Sequence, residues 1–239
     1  MITPEANLGA SNTVIVLFSG GRDSSLAACL LAASGRSVHL LTTFNGATIK
    51  GEVANYRYEE LRTSFSDLIT RRTIVPSFGL FRRIALETIE SDFARFKTNL
   101  IPLGDALATH TIAADFALEH NLSVIASGYA QYENAFPEQM PQVVALTRSF
   151  LQEYRITYLT PVYSYTHRNQ VKQHLLEFGI SPKSLEGTSL FADTFSTPSS
   201  EAVVDYVRTK LPICRDYIAS RVANRGGRRH PTNQKDVDG

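Results

Sequence analysis

A short apolar run that leads directly into two glycines and an apolar helical segment restricts the fold of this chain more than any other feature. Residues 13–18 read TVIVLF, a β-branched run typical of a strand that is buried on both faces. Gly20 and Gly21 follow, and an apolar segment over residues 26–33 ends near Gly35. This strand–turn–helix unit predicts the first βα unit of a parallel sheet.

Strand-like and helix-like patterns alternate along the following part of the chain. Apolar runs predict further strands over residues 37–44, 72–76, 122–126 and 156–159. Apolar residues at helical spacing predict helices over residues 56–70, 80–96, 107–120, 139–153 and 166–178. The alternation predicts an α/β fold with a doubly wound, mostly parallel sheet.

The C-terminal part of the chain has a different pattern. Beyond Ser181 we expect a polar loop over residues 184–200 and then two helices, around Val203 and Ile218. The predicted organisation is therefore an N-terminal extension (1–12), an α/β domain (13–180), a small helical C-terminal appendage (181–224) and a disordered basic tail (225–239).

Composition excludes several classes of protein. The 24 Lys and Arg residues nearly balance the 23 Asp and Glu residues, so we do not expect tRNA as a partner. Two cysteines, Cys29 and Cys214, are too few for a disulfide framework or a cysteine-rich zinc site, and no zinc is expected. No apolar stretch approaches the roughly 20 residues that span a bilayer, so we expect no membrane association. The polar residues 1–12 do not resemble a signal peptide, and we expect a cytoplasmic protein.

Residues 19–25, SGGRDSS, carry most of the functional argument. Adjacent glycines let the backbone approach an anion closely, and Ser24 and Ser25 are expected to open a helix whose first amides lack intrahelical partners. Asp23 cannot donate to a phosphate when it is ionised, so its expected role is to hold Mg²⁺ or to orient the loop. An ordinary turn with a serine cap would use similar residues. The full string is more specific, and it is neither a Walker loop nor a GxGxxG motif.

SGGRDS resembles the signature of the PP-loop ATP pyrophosphatase superfamily. This resemblance implies that the chain binds ATP with Mg²⁺, cleaves it between the α and β phosphates and transfers AMP to a substrate oxygen. It implies catalytic roles for Asp23 and Ser24, with Asp23 also as the metal ligand. The implied ATP-binding residues are Ser19, Gly20, Gly21, Arg22, Asp23, Ser24 and Ser25, with Thr43 and Phe44 beside the adenosine.

Within that superfamily the downstream chain is most similar to 7-cyano-7-deazaguanine synthase. The similarity lies in residues 127–133 (SGYAQYE), in Phe136-Pro137-Glu138 and in Thr160-Pro161-Val162. It implies a ligase that adenylates a carboxylate or carbonyl oxygen of a purine-like or other small substrate, which ammonia then attacks. The implied substrate-binding residues are Gly128, Glu133 and Glu138.

The chain departs from that family at several positions. It lacks the cysteine cluster that binds zinc there, and Gly104-Asp105 replaces an Arg-Asn pair. Two alternatives therefore stay open. One is a sulfurtransferase that thiolates a nucleobase or tRNA, and the other is a nucleotide-binding regulatory module without catalysis. The identity of the acceptor substrate and the formation of a homodimer are also left open.

Other polar and sulfur-containing residues have simpler interpretations. Asp105, His110 and Asp115 are expected to supply surface polarity on or beside one helix. Cys29 occupies an apolar helical position and is expected to pack in the core. Cys214 follows Pro212 and is expected near the start of a helix, where the dipole could lower the pKa of its thiol.

Overall fold

The computed structural model describes residues 12–191 and 197–227. Its strands are β1 (Thr13–Leu17), β2 (Ser37–Phe44), β3 (Thr48–Ile49), β4 (Ile69–Pro76), β5 (Val124–Ala126), β6 (Thr157–Leu159) and β7 (Thr188–Ser189). Five of them form a parallel sheet in the order β4–β2–β1–β5–β6. Strands β3 and β7 form a separate antiparallel pair.

Eight α-helices flank the sheet in the described part of the chain. They are α1 (Arg22–Ala33), α2 (Ala54–Ser64), α3 (Phe78–Phe81), α4 (Ile89–Phe96), α5 (Ile101–Glu119), α6 (Pro141–Gln152), α7 (Arg168–Glu177) and α8 (Ser200–Gly227). Helices α1, α2 and α7 pack on one face of the sheet, and α3, α5, α6 and α8 pack on the other. The predicted α/β fold, doubly wound and parallel with a helical C-terminal part, is confirmed. None of the helices described is both long and apolar enough to cross a membrane.

The central position of β1 in the sheet explains why residues 14–17 form an apolar run. Val14 and Val16 pack into the core on one face of the sheet, while Ile15 packs into the core on the other. All three side chains are fully buried. Because helices cover both faces, these three central positions of the strand all need apolar side chains.

One helix prediction in the first half was too long. The segment 56–70 is helical only to Ser64, and strand β4 already begins at Ile69. Phe65 and Leu68 continue the helical spacing, but they pack against the core from the connecting turn. A sequence pattern records which residues are apolar, and tertiary packing decides which backbone conformation buries them.

The predicted helix over residues 80–96 is broken into α3, a π-helical turn (Arg82–Leu86) and α4. The break coincides with a buried polar cluster. Nζ of Lys210 in α8 donates to Oγ1 of Thr88 and to Oδ2 of Asp92, both at 2.6 Å. Lys210 is only 2% exposed, so these bonds compensate for burying its charge.

The C-terminal part contains one helix where two were predicted. Helix α8 runs through Pro212, and its buried face includes Val203, Tyr206, Val207, Lys210, Leu211, Cys214 and Ile218. Pro212 lies on the exposed side, so the carbonyl that loses its helical donor can bind water. Cys214 is therefore in the middle of a helix, and the prediction that it begins one was wrong.

Ion pairs fix the end of α8 to α5. Asp115, expected on the surface, is 5% exposed, and its carboxylate accepts from Nε of Arg221 at 3.0 Å and from Arg225. Arg225 thus belongs to α8, although the basic tail was expected to begin there. Residues 228–239 of that tail, and residues 1–11 of the N-terminal extension, lie outside the described residues.

Candidate functional site

The order of the strands brings two loops together at the carboxyl edge of the sheet. Strands β1 and β5 are neighbours at the point where the chain order reverses, which is where open α/β sheets bind ligands. The loop after β1, residues 18–21, contains the two glycines, and we call it the glycine loop. The loop after β5 contains residues 127–140. Both loops line one cavity of about 1110 Å³.

Gly20 and Gly128 allow these loops to pack tightly. Gly20 has φ +85°, and a Cβ there would lie 2.0 Å from the carbonyl oxygen of Leu185. A Cβ on Gly128 would lie 2.3 Å from the backbone nitrogen of Ser24. Side chains at either position would therefore displace the backbone that surrounds the start of α1.

The serines after β1 divide into two groups. Helix α1 begins at Arg22, two residues before the expected Ser24, with Gly21 as its N-cap. Oγ of Ser19 lies 3.3 Å from Oγ of Ser24, and both residues line the cavity. Ser25 is fully buried and donates to the carbonyl of Gly21 at 2.6 Å. Ser25 therefore stabilises the turn. Ser25, Gly20 and Arg22 are not among the described residues that line the cavity.

Asp23 lies in the first turn of α1 and faces the cavity. It accepts a hydrogen bond from the hydroxyl of Tyr132. The pKa of Asp23 is raised to about 6, mainly by burial; the carboxylates of Glu133 and Glu186 contribute to the rise, while Tyr132 and Arg22 oppose it. The surroundings of Asp23 therefore favour its protonated form more than water does.

The predicted substrate residues Gly128, Glu133 and Glu138 all line the cavity. Nε2 of Gln139 donates to Glu133 at 3.0 Å, and the guanidinium of Arg168 lies 3.4 Å from the same carboxylate. Glu133 is therefore held in place at the mouth of the loop.

A chain of buried hydroxyls supports the start of this loop. The hydroxyl of Tyr158 lies 2.6 Å from Oγ of Ser127 and 3.0 Å from Nε2 of His110. His110 is 2% exposed, against the expectation of surface polarity, and burial lowers the pKa of its imidazole to about 4. The neutral ring therefore fixes the orientation of Tyr158 and Ser127.

The end of β2 forms another wall of the cavity. Thr43 and Phe44, expected beside adenosine, both line it. Oγ1 of Thr43 lies 2.8 Å from Oγ1 of Thr109 in α5, while Phe44 is 47% exposed at the rim. Arg72 of the neighbouring β4 also lines the cavity and donates from Nε to Oγ1 of Thr42 at 3.2 Å.

Residues 181–189, which we call the strap, lie across the glycine loop. Arg57 of α2 is fully buried and donates to the carbonyl oxygens of Ser181, at 2.7 Å, and of Lys183. The backbone nitrogen of Leu185 donates to the carbonyl of Gly20 at 3.2 Å. The antiparallel pair of β3 and β7 holds the far end of the strap.

The strap brings a carboxylate to the glycine loop. Oγ of Ser19 donates to Oε2 of Glu186 at 3.3 Å, and Oε1 of Glu186 accepts from Ser184 at 2.6 Å. A Cβ on Gly21 would lie 2.4 Å from Oε2 of Glu186. An anionic oxygen therefore lies directly against the loop.

Asp105 and Glu138 line another part of the cavity wall. Oδ1 of Asp105 and Oε2 of Glu138 are buried without a hydrogen-bond partner in the described part of the chain. Burial raises the pKa of Glu138 to about 7, and Glu133 and Asp105 contribute to the rise. Burial also raises the pKa of Asp105, and a hydrogen bond with Asn45 opposes it. The expectation that Asp105 supplies surface polarity was wrong.

Sequence reasoning missed several residues of the cavity. In the sequence, Glu186 lies in a predicted polar loop and Arg72 in a predicted short strand, and neither pattern indicates a site residue. Two sequence signals bore on Asp105: its position near the start of a long apolar helix, which also suits a solvated residue, and its place at an Arg-Asn pair of the similar family. These side chains reach the cavity through contacts between distant segments, which local patterns do not encode.

Comparisons with known proteins agree with the fold. The sequence profile of the family DUF7411, a family of unknown function, matches residues 12–184. No curated protein sequence matches the chain. A solved 4-thiouridine synthetase–RNA complex with bound ATP is 14% identical with a TM-score of 0.61, over 88% of this chain and 53% of that chain. The present chain thus spans about half the length of that synthetase, and the similarity shows a shared α/β fold.

Two further structures are similar at a lower TM-score. A predicted subunit of a tRNA methyltransferase from Methanocaldococcus jannaschii is 20% identical with a TM-score of 0.44, over 74% of this chain and 96% of that chain. A U34-tRNA thiolase from Methanococcus maripaludis, solved with its 4Fe–4S cluster, is 15% identical with a TM-score of 0.49, over 95% of this chain and 75% of that chain. The similarity to 7-cyano-7-deazaguanine synthase stays a prediction.

Proposed function

This chain belongs to the DUF7411 family, and we propose that it is an ATP-using enzyme of the PP-loop type. In the proposed reaction, an oxygen of a small acceptor attacks the α-phosphorus of ATP. The bond from that phosphorus to the bridging oxygen of the β-phosphate breaks, and pyrophosphate leaves. Ammonia then displaces AMP from the adenylated acceptor, so that a carbon–nitrogen bond forms.

One observation carries this proposal. The glycine loop and the N-terminus of α1 face a large cavity at the point where the strand order reverses. The free amides of the helix, its dipole and the hydroxyls of Ser19 and Ser24 together favour an anion there. The carboxylate of Glu186, which accepts from Ser19, supports the same conclusion because the loop already accommodates an anionic oxygen.

The roles of the individual residues follow from their positions. Ser19 and Ser24 donate to phosphate oxygens and stabilise the charge that develops on the leaving pyrophosphate. Thr43 and Phe44 border the adenosine at the end of β2. Glu133, held by Gln139 and Arg168, faces the acceptor and the incoming amine.

Asp23 fits a magnesium ion that arrives with ATP. Mg²⁺ is commonly held by one or two carboxylates together with phosphate oxygens and water, so a dedicated cluster of protein ligands is not needed. Burial raises the pKa of Asp23, and nearby Glu133 and Glu186 add to the rise, so a cation would relieve this accumulation of negative charge. When bound, the ion would neutralise phosphate charge. Asp23 would hold the ion, and the hydrogen bond from Tyr132 orients Asp23.

The sulfurtransferase alternative lacks a suitable protein thiol. A thiol that carries sulfur must be accessible and have a lowered pKa. Cys29 and Cys214, the two cysteines of the chain, are both fully buried. Burial raises the pKa of Cys29 to about 12 and that of Cys214 to about 11. These observations favour ammonia over sulfur as the nucleophile.

Product analysis tests the proposal. The protein is incubated with ATP, Mg²⁺, ammonia and a panel of carboxylic acids and purine-like lactams, and the nucleotides are separated. We expect AMP and pyrophosphate, together with acceptor-dependent exchange of labelled pyrophosphate into ATP. ADP as the main product would exclude the PP-loop reaction. Tight binding of ATP without exchange for any acceptor would support the regulatory module.

A further inference from the structure

We propose that the strap is a self-inhibitory lid on the phosphate end of the cavity. In the closed position that this structure shows, the carboxylate of Glu186 takes the place of a phosphate oxygen at the glycine loop. The antiparallel pair of β3 and β7 is the latch that separates when a phosphate group enters. The inference rests on the proposed function for the identity of that phosphate. Opening of the strap itself needs no nucleotide, so it can be measured separately.

The strap contacts the glycine loop through both its backbone and a side chain. The backbone nitrogen of Leu185 donates to the carbonyl of Gly20 at 3.2 Å, and Oγ of Ser19 donates to Oε2 of Glu186 at 3.3 Å. A Cβ on Gly20 would lie 2.0 Å from the carbonyl oxygen of Leu185, and one on Gly21 would lie 2.4 Å from Oε2 of Glu186. Rotation of the Glu186 side chain alone would leave Leu185 bonded to the loop. We therefore infer that the strap moves as a unit.

The charge of Glu186 makes the closed strap incompatible with a phosphate at the loop. Its carboxylate accepts from the hydroxyls of Ser19 and Ser184, and none of the ion pairs among the described residues includes it. A phosphate group would add negative charge at the same place, and like charges repel most strongly where water is partly excluded. The closed strap and a bound phosphate therefore exclude one another.

The two ends of the strap are held with different strength. At one end, the fully buried guanidinium of Arg57 donates to the carbonyl oxygens of Ser181, at 2.7 Å, and of Lys183. At the other end, β3 and β7 contribute only two residues each, and Ile49 of β3 is 49% exposed. The end at Arg57 is therefore the pivot, and the pair of β3 and β7 is the end that opens.

Opening of the strap removes little burial. None of the side chains of residues 181–189 is buried. Segments that bury few apolar side chains open locally at a small fraction of the cost of global unfolding. The strap is also one wall of the cavity, since Ser184 and residues 186–189 line it. Its displacement would therefore widen the cavity without disturbing the core.

A reversible disulfide between β3 and β7 tests the lid. Ile49 and Thr188 face each other across the pair. Facing residues of an antiparallel pair have Cα atoms about 4.5–5.5 Å apart, within reach of a disulfide. The double variant Ile49→Cys/Thr188→Cys is oxidised, its free thiols are counted, and it is titrated with ATP and with inorganic pyrophosphate before and after reduction. Cys29 and Cys214 are fully buried and do not compete for the new thiols.

We expect the oxidised protein to bind both ligands at least about tenfold more weakly than the reduced protein, because the lock lowers the population of the open state. Reduction should restore the affinity. The single variant Ile49→Cys, treated with the same oxidant, is the matched control and should bind equally before and after reduction.

Hydrogen exchange without any ligand measures the opening itself. We expect the amide of Leu185 and those of β7 to exchange together and much faster than the amides of β1, as a single local opening requires. Glu186→Ala should speed this exchange severalfold, because it removes the contact with the glycine loop. Glu87→Ala, at an exposed position outside the cavity, is the control and should leave the exchange unchanged.

Two results would overturn the lid. The oxidised and reduced forms of the double variant could bind ATP and pyrophosphate equally, or the strap could exchange as slowly as β1 both in the wild type and in Glu186→Ala. If the locked protein binds equally and AMP still forms, the lid fails and the proposed function stands. If reduction restores pyrophosphate binding but ATP yields no AMP with any acceptor, the proposed function fails and the lid stands.

Discussion

The hydroxyl of Ser19 lies 3.3 Å from Oε2 of Glu186, although 167 positions separate the two residues in the chain. The contact joins the loop after the first strand to the strap that crosses it. Because the loop is suited to phosphate, the carboxylate of Glu186 competes with a ligand for the hydroxyl of Ser19 and for the space beside Gly21. We therefore expect that ATP, if it binds as proposed, displaces Glu186 from this contact.

Removing the charge of Glu186 should strengthen ATP binding. Two negative charges about 4 Å apart repel by roughly 1 kcal/mol in water, so Glu186→Gln should lower the Kd for ATP by about fivefold. The titration is done without divalent cations, and Glu87→Gln serves as the control for a general change of charge. Weaker binding in Glu186→Gln would mean that this carboxylate assists the nucleotide.

Gly128→Ala should disturb the glycine loop and the start of α1 while the fold persists. The new Cβ would approach the backbone of Asp23 and Ser24 to about 2.3–2.4 Å, so the start of α1 must move. We expect the rate of AMP formation to fall by about a hundredfold, in keeping with the effect of small displacements on catalysis. Gly79→Ala is the control, because its Cβ would meet nothing within 4 Å. Equal activities of the two variants would contradict the packing of these loops around a catalytic site.

Ser19→Ala tests stabilisation of the leaving pyrophosphate. A donor to developing charge is typically worth ~3 kcal/mol, so kcat for AMP formation should fall by about two orders of magnitude. ATP binding should change much less, because ground-state and transition-state contacts differ. The control Ser66→Ala alters a serine on the exposed turn after α2. An unchanged kcat in Ser19→Ala would remove this hydroxyl from the mechanism.

Asp23 should make activity depend on pH. Its pKa is raised to about 6, so the ionised form that can hold a cation is lost as the pH falls through this value. The profile of kcat/KM should therefore fall on the acid side with a midpoint near 6, and Asp23→Asn should be inactive at every pH. A flat profile from about pH 5 to 8 would contradict this role.

The same shift predicts an effect of Asp23 on stability with a definite sign. The folded protein holds the proton of Asp23 more tightly than the unfolded chain does. This stabilisation is complete below the unfolded pKa of about 4 and is lost as the pH rises through about 6. Asp23→Asn should consequently melt higher than the wild type at pH 8, by about 6–12 °C, and the difference should vanish toward pH 4. A lower melting temperature of the variant at pH 8 would contradict the raised pKa.

Cys214→Ser should retain most of its activity. The thiol is fully buried in the middle of α8, and its pKa is raised to about 11, so it cannot serve as an accessible thiolate. The cost should be limited to about 1–2 kcal/mol of the free energy of unfolding, measured by denaturant titration. A folded Cys214→Ser protein that forms AMP normally but completes no turnover would favour the sulfurtransferase alternative.

The sequence by itself determined the class of the fold and the position of the first loop of the site. The apolar run of β1, the glycine pair and the apolar α1 are local patterns, and each follows from backbone sterics and burial within a few residues. The alternation of such units then requires a parallel sheet, whose ligands bind at the carboxyl ends of the strands. Residues 19–24 could therefore be assigned to a candidate site before any coordinates were known.

Only the tertiary structure decided which distant residues join that loop. Glu186 reaches Ser19 because buried Arg57 anchors the strap, and Asp105 faces the cavity with Glu138 because of how α5 packs against the sheet. The continuity of α8 through Pro212 likewise depends on its buried face. Each of these features arises from contacts between segments far apart in the chain. The free energy that selects them comes from burial and hydrogen bonding across elements, and a local pattern of apolar and polar residues carries no record of it.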